Sequence, residues 1–152
     1  MSGIPINMDH VAIMKKSWGL LPRILEGAKT IESRWYKARV APWDRIQRGD
    51  TLYFKDSGAP VTLKSTVTKV LQFEVERENE AIDITKRFAS GLGFSCIPDV
   101  ILSYISGKRY GILVFFDSVK KVKPFNIDKA GFGMMSAWIS VPNIRSIKHT
   151  DI

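Results

Sequence analysis

Hydrophobic positions along this chain change period several times, and the changes mark out its elements. Over residues 10–14 the alternation is that of a strand, with Val11 and Ile13 turned to one side. Leu20, Leu21, Ile24, Leu25 and Ala28 then fall at helical spacing. A short amphipathic helix is expected there, with Ser17 as N-cap, Pro22 in the opening turn and Gly27 as the residue that ends it. Residues 30–37 alternate again. An irregular crossing over residues 40–47, around Pro42 and Trp43, leads to the turn Gly49-Asp50 and a strand over 51–55. A second turn at 56–60 opens a long strand over 61–74. Residues 76–93 are charged and helical in pattern, and 98–106 form a further short helix. Residues 109–116 and 119–125 read as the two arms of a hairpin folded at Asp117-Ser118, residues 136–141 as the closing strand, and the chain beyond Pro142 as fraying.

Short strands separated by turns, one helix after the first strand and a helical insertion in the middle describe an α+β fold, a small mixed β-barrel carrying peripheral helices. With 152 residues, 45% of them hydrophobic and 11% aromatic, the chain is expected to be a single domain with its core over about 9–142. Twenty-three Lys+Arg against fifteen Asp+Glu leave a net charge of +8, spread along the sequence rather than gathered in a tail. Such a surface suits an anionic partner, nucleic acid or nucleotide, although a basic surface kept for solubility has the same composition. The lone Cys96 cannot form an internal disulfide, and the first residues lack the charged start and apolar run of a signal peptide, so an intracellular, cytoplasmic protein is expected. The longest apolar run, residues 111–116, falls far short of the roughly 20 residues that cross a membrane.

Candidate chemistry concentrates in the stretch Leu25 to Lys37. In the strand Ile31, Ser33 and Trp35 share one face and Thr30, Glu32, Arg34 and Tyr36 the other. Ile31 and Trp35 belong inside. Glu32 and Arg34 are then either an ordinary solvated ion pair or part of a site, and Lys29 just ahead of them with Trp35 and Tyr36 beside Arg34 favours a site. Lys16, Ser17 and Trp18 precede the first helix, where free N–H groups and lysines can hold an anion. Phe132 sits between two glycines and could stack on a base, and Lys55 ends a strand that should border the cleft. The two histidines and single cysteine have no zinc-ligand spacing, no phosphate-loop or dinucleotide motif occurs, and no cofactor is indicated.

The residues Gly27-x-Lys29-x-x-Glu32-x-Arg34, followed by Gly49-Asp50 and an apolar strand, resemble the signature of the ASCH domain family of the PUA-like superfamily. The resemblance runs from Val11 to Phe73 and implies a PUA-like barrel with a cleft beside the first helix that receives RNA, a nucleotide or a modified nucleoside. It implies that Lys29 offers a cation at the mouth, that the Glu32 carboxylate accepts from a base amino group, and that Arg34 binds phosphate or stacks on a base. Some members resemble amidohydrolases that deacylate acetylated cytidine and others ribonucleases. That alternative would cast Lys29 and Glu32 as an acid/base pair. It departs from the amidohydrolase pattern where Glu32 replaces a threonine, and its downstream carboxylate has no clear counterpart among Glu78, Glu80 and Asp83.

Overall fold

The computed structural model describes residues 6–133 and 135–149. Its strands are β1 (Asp9–Met14), β2 (Ile31–Tyr36), β3 (Thr51–Asp56), β4 (Val61–Glu74), β5 (Tyr110–Ile127), β6 (Trp138–Val141) and β7 (Lys148–His149). Helices are α1 (Leu20–Leu25), α2 (Glu80–Arg87), α3 (Ala89–Leu92) and α4 (Asp99–Ile105). The strands form one curled sheet in the order β2-β5-β4-β3-β1-β6, parallel only between β1 and β3, with β7 paired to β5.

The period-two pattern sorts the side chains into separate cores. Ala12, Met14, Leu52, Phe54, Leu63, Val67, Ile112, Val114 and Phe116 fill the inside of the curl, which Leu20 and Ile24 of α1 close. On the far side of β2 and β5, Ile31, Trp35 and Leu113 pack beneath α2–α4. Trp35 lies directly over Gly111, its register partner, where a Cβ would meet the indole ring at 2.4 Å. Only glycine leaves room for that ring.

Four expectations are corrected. Ser17 caps no helix: residues Lys16–Trp18 form a 3-10 turn, and Gly19, at φ 61°, breaks the chain before α1 begins. The charged helical segment is two helices, α2 and α3. Asp117-Ser118 is not a hairpin. Ser118 takes a single left-handed φ of 56° inside one continuous strand, and both halves of β5 stay paired with β4, Phe116 opposite Val67 and Lys120 opposite Lys64. A 14-residue neighbour gives both arms a ladder to join, so a bulge replaces the turn. Finally, the chain does not fray at Pro142. Ile144 and Ile147 are buried against Val11, Ile139 and Val141, and the Asp9 carboxylate accepts the Ile144 N–H at 2.7 Å.

Candidate nucleic-acid interface

An open-sheet path leaves two end strands, β2 and β6, and the site lies at the seam between them. As alternation requires, Glu32 and Arg34 point to the inner face and Ile31 and Trp35 to the other. Neither face of β2 is a solvated surface, since Glu32 and Arg34 are only 5% and 6% exposed and Lys29 only 2%. Together they form a buried ionic triad. Lys29 Nζ lies 3.1 Å from Glu32 Oε1, and Arg34 donates to Glu32 Oε2 from Nε at 3.0 Å and from Nη2 at 2.8 Å.

The two cations also fasten the fold. Lys29 Nζ donates to the Ile31 carbonyl at 2.7 Å and the Leu92 carbonyl at 3.1 Å, so its three hydrogens all have acceptors and α3 is tied to the start of β2. Arg34 reaches across the seam to the Ile13 carbonyl of β1 at 3.2 Å and the Ala137 carbonyl ahead of β6 at 2.9 Å, with its guanidinium 5.2 Å from the Trp138 ring centre. One side chain thus ties β2 to β1 and to the approach of β6 across the seam. Burial pulls the Lys29 ammonium below its ordinary pKa, with Glu32 offsetting part of the effect. Burial alone would push the Glu32 carboxyl up; the Lys29 and Arg34 charges outweigh it and hold the group below the usual glutamate value. Burial works against the Arg34 charge, but Glu32, with Tyr36 and Tyr104, outweighs it and raises the guanidinium above its ordinary value.

Trp138 carries the network further. Its indole N–H, which can only donate, points at His10 Nδ1 at 3.2 Å, so His10 accepts there and presents Nε2–H to Asp50 Oδ2 at 2.8 Å. Asp50 in turn accepts the backbone N–H groups of Met8 and Gln47. The Gly49-Asp50 pair therefore anchors β1 to the crossing that precedes β3.

Above the triad opens a cleft of about 300 Å³. Its walls are apolar and aromatic: Met14, Trp18, Phe94, Ile101 and Tyr104, with Lys15, Ser33 and Ala137 among the rest of the lining. Trp18 and Tyr104 meet edge to face at 6.0 Å, and Lys15 Nζ sits 5.6 Å from the Trp18 ring centre. Of the residues expected to build a site, Trp18, Lys29, Glu32 and Arg34 line this cleft. Lys16, Ser17, Tyr36, Lys55 and Phe132 do not. Lys16 and Ser17 are exposed at the 3-10 turn, and Phe132 is 37% exposed in the loop before β6. Tyr36 shares the inner face with Arg34 and interacts with it, while Lys55 is drawn in beside Ile13 on the opposite face of β3 from Leu52 and Phe54. Lys29 stands at the floor rather than the mouth.

Sequence reasoning missed Ser33, Phe94, Ile101 and Tyr104. Ile101, Tyr104 and Ile105 share one face of α4 at i, i+3, i+4 spacing, an ordinary core stripe with no chemical mark.

The class of fold is a small α+β half-barrel, with α1 closing its inside and α2–α4 packed on its outer face. More narrowly, it is the fold of ASCH from Zymomonas mobilis, whose crystal structure matches at a TM-score of 0.62 over 86% of this chain and 85% of that one, with 14% identity. A tyrosine-to-phenylalanine variant of the same protein matches at 0.60 over 86% and 88%, with 14% identity, and a serine-to-alanine variant at 0.62 over 90% and 89%, with 15% identity. The likeness is one of fold. No protein-family model and no curated protein sequence matches the chain. Among the described residues no helix is long and apolar enough to cross a membrane.

Proposed function

We propose that the cleft receives a single nucleobase, and that the protein is an RNA- or nucleotide-binding module. The observation that carries this reading is the combination of aromatic walls with an ionic floor: Trp18, Phe94 and Tyr104 stand around Glu32, whose Oε1 holds one partner, Lys29, and retains lone-pair capacity for a donor from a ligand. An aromatic slot of about 300 Å³ takes a planar ring, and bases unstack readily only from single strands. The fold shared with ASCH structures and the net charge of +8 support the same class of ligand.

Lys29 and Arg34 do not serve as phosphate contacts in this reading, because their donors are already held by Glu32 and by backbone carbonyls. The same contacts count against hydrolysis. Lys29 would have to abandon two carbonyls to shuttle a proton, and Glu32, kept ionised by two cations, is a poor acid.

The test is a nuclear magnetic resonance titration of the labelled protein with the four ribonucleosides and short single-stranded RNAs. At least one should saturably shift the Trp18 indole resonance, and Trp18→Ala should weaken it roughly tenfold, the value of one lost base–aromatic stack. Absence of any shift at Trp18 with every ligand would overturn the reading.

A further inference from the structure

β2 is an edge strand, and its free edge faces the cleft. Pairing with β5 uses the main-chain groups of alternate residues: Phe116 N–H donates to the Thr30 carbonyl, and the same phase continues through Glu32 opposite Val114 and Arg34 opposite Ile112. The N–H and C=O of Ile31, Ser33 and Trp35 therefore point the other way. Two of these three positions are covered at least in part. Lys29 Nζ caps the Ile31 carbonyl at 2.7 Å, and the Tyr104 hydroxyl stands 3.4 Å from both the N–H and the carbonyl oxygen of Trp35. Of the three, Ser33 alone leaves both its N–H and its C=O open and lines the cleft. It is half-buried, it lines the cleft, and among the described residues no side chain or backbone group bonds its outward N–H or C=O, nor its hydroxyl.

We infer that the Ser33 main chain reads the hydrogen-bonding edge of the bound base. In an extended residue N–H and C=O lie side by side on the same edge, a donor next to an acceptor. Each nucleobase carries the complementary pair on its Watson–Crick edge, a ring N–H beside a carbonyl in uracil and guanine, a ring nitrogen beside an amino group in cytosine and adenine. An added peptide strand fits worse. Strand addition needs open groups at successive outward-facing residues, and Lys29 and Tyr104 close both neighbours of Ser33. What remains is one residue's width of backbone between aromatic walls. A base read in this way cannot be paired at the same time, so the cleft selects unpaired nucleotides.

This inference rests on the cleft being a base site, and its test separates the two. In wild-type protein the Ser33 amide resonance should shift together with the Trp18 indole when a nucleoside saturates the cleft. The edge-methylated counterpart of whichever nucleoside binds (3-methyluridine, 1-methylguanosine, 3-methylcytidine or 1-methyladenosine) should bind at least tenfold more weakly. Ser33→Pro removes the N–H while sparing the β2–β5 ladder, since that N–H is not in it, and should also lose tenfold or more. Ser33→Ala keeps the backbone and should stay within threefold. If Ser33→Pro does not fold, the methylated nucleosides and the Ser33 amide decide. A nucleoside that shifts Trp18, leaves the Ser33 amide still and binds equally well when methylated would overturn the inference and leave the base site standing. No shift at Trp18 with any nucleoside would overturn both.

Discussion

Glu32 is the only anion of the buried triad, and replacing it by glutamine tests what the triad does. Glu32→Gln preserves shape but leaves Lys29 and Arg34, 2% and 6% exposed, without their common counter-charge. Removing one partner of a buried pair costs about 3–5 kcal/mol, because the orphaned charge keeps its desolvation penalty and loses its attraction. At roughly 2–4 °C per kcal/mol for a domain of this size, the melting temperature should fall by about 6–20 °C. Urea unfolding followed by circular dichroism measures the loss directly, as a lower midpoint at an unchanged slope. Adding Lys29→Met removes one orphaned cation and should recover part of it.

The pH dependence supplies a second signature. Lys29 in the fold already sits below its ordinary pKa because it is buried, and the variant lacks the Glu32 charge that opposes this. Between the folded and unfolded lysine values the unfolded chain binds more protons, so stability rises with pH across that window. Glu32→Gln should therefore regain stability from neutral pH toward pH 10 more steeply than wild type. A loss under about 1 kcal/mol at pH 7, the range of solvated pairs, would refute the buried triad, and with it the floor assigned to the cleft.

Gly111→Ala places a methyl group 2.4 Å from the Trp35 ring and should cost about 1–3 kcal/mol of overpacking in urea unfolding. His10 is held below its ordinary pKa of 6.5 by burial, against the pull of Asp50; the unfolded chain binds its proton first, so stability should rise as pH climbs toward 6.5 and level off above. His10→Gln should flatten that rise in urea midpoints compared between pH 5 and 8, and an unchanged rise would assign it to another group. Nucleoside binding should be nearly indifferent to salt, while single-stranded RNA should show a log–log slope near −0.7 for each phosphate contact; a nucleoside affinity that falls steeply with salt would show that a cleft cation had left its protein partners.

The sequence disclosed the Glu32/Arg34 face because strand alternation is a local rule, and the Trp35 burial because an aromatic on the opposite face has nowhere else to go. It did not disclose burial on both faces. That depends on α2–α4 folding back over β2, and α4 carries its Ile101-Tyr104-Ile105 stripe exactly as any core helix would. The sequence leaves the role of Arg34 open for a related reason. Phosphate binding and seam closure ask the same of a guanidinium, several donors in a plane, and only the arrival of the Ile13 carbonyl from β1 and the Ala137 carbonyl from ahead of β6 separates them. Phe132 reads as a stacking aromatic from its flanking glycines, and Lys55 as a cleft residue from the end of its strand, but the parallel pairing of β1 with β3 sets Lys55 beside Ile13, away from the Leu52 and Phe54 interior. Ser33 carries no signal at all in sequence, since its contribution is backbone that its neighbours leave uncovered.

Placement of charge also follows from this division. If a base is held by aromatic faces and an uncovered stretch of main chain, the cleft itself contributes little long-range attraction, because its two buried cations answer to Glu32. Attraction for a strand must then come from elsewhere on the surface. Lys64 and Lys120 stand directly opposite each other across β4 and β5, both exposed, with exposed Lys121 and Lys123 farther along β5. Like charges in register weaken a sheet, so nothing in the fold itself calls for this pair. On the base-binding reading proposed above, a polyanion lying along the ribbon would turn that repulsion into binding, with the net charge of +8 acting on the phosphates while the cleft discriminates among bases.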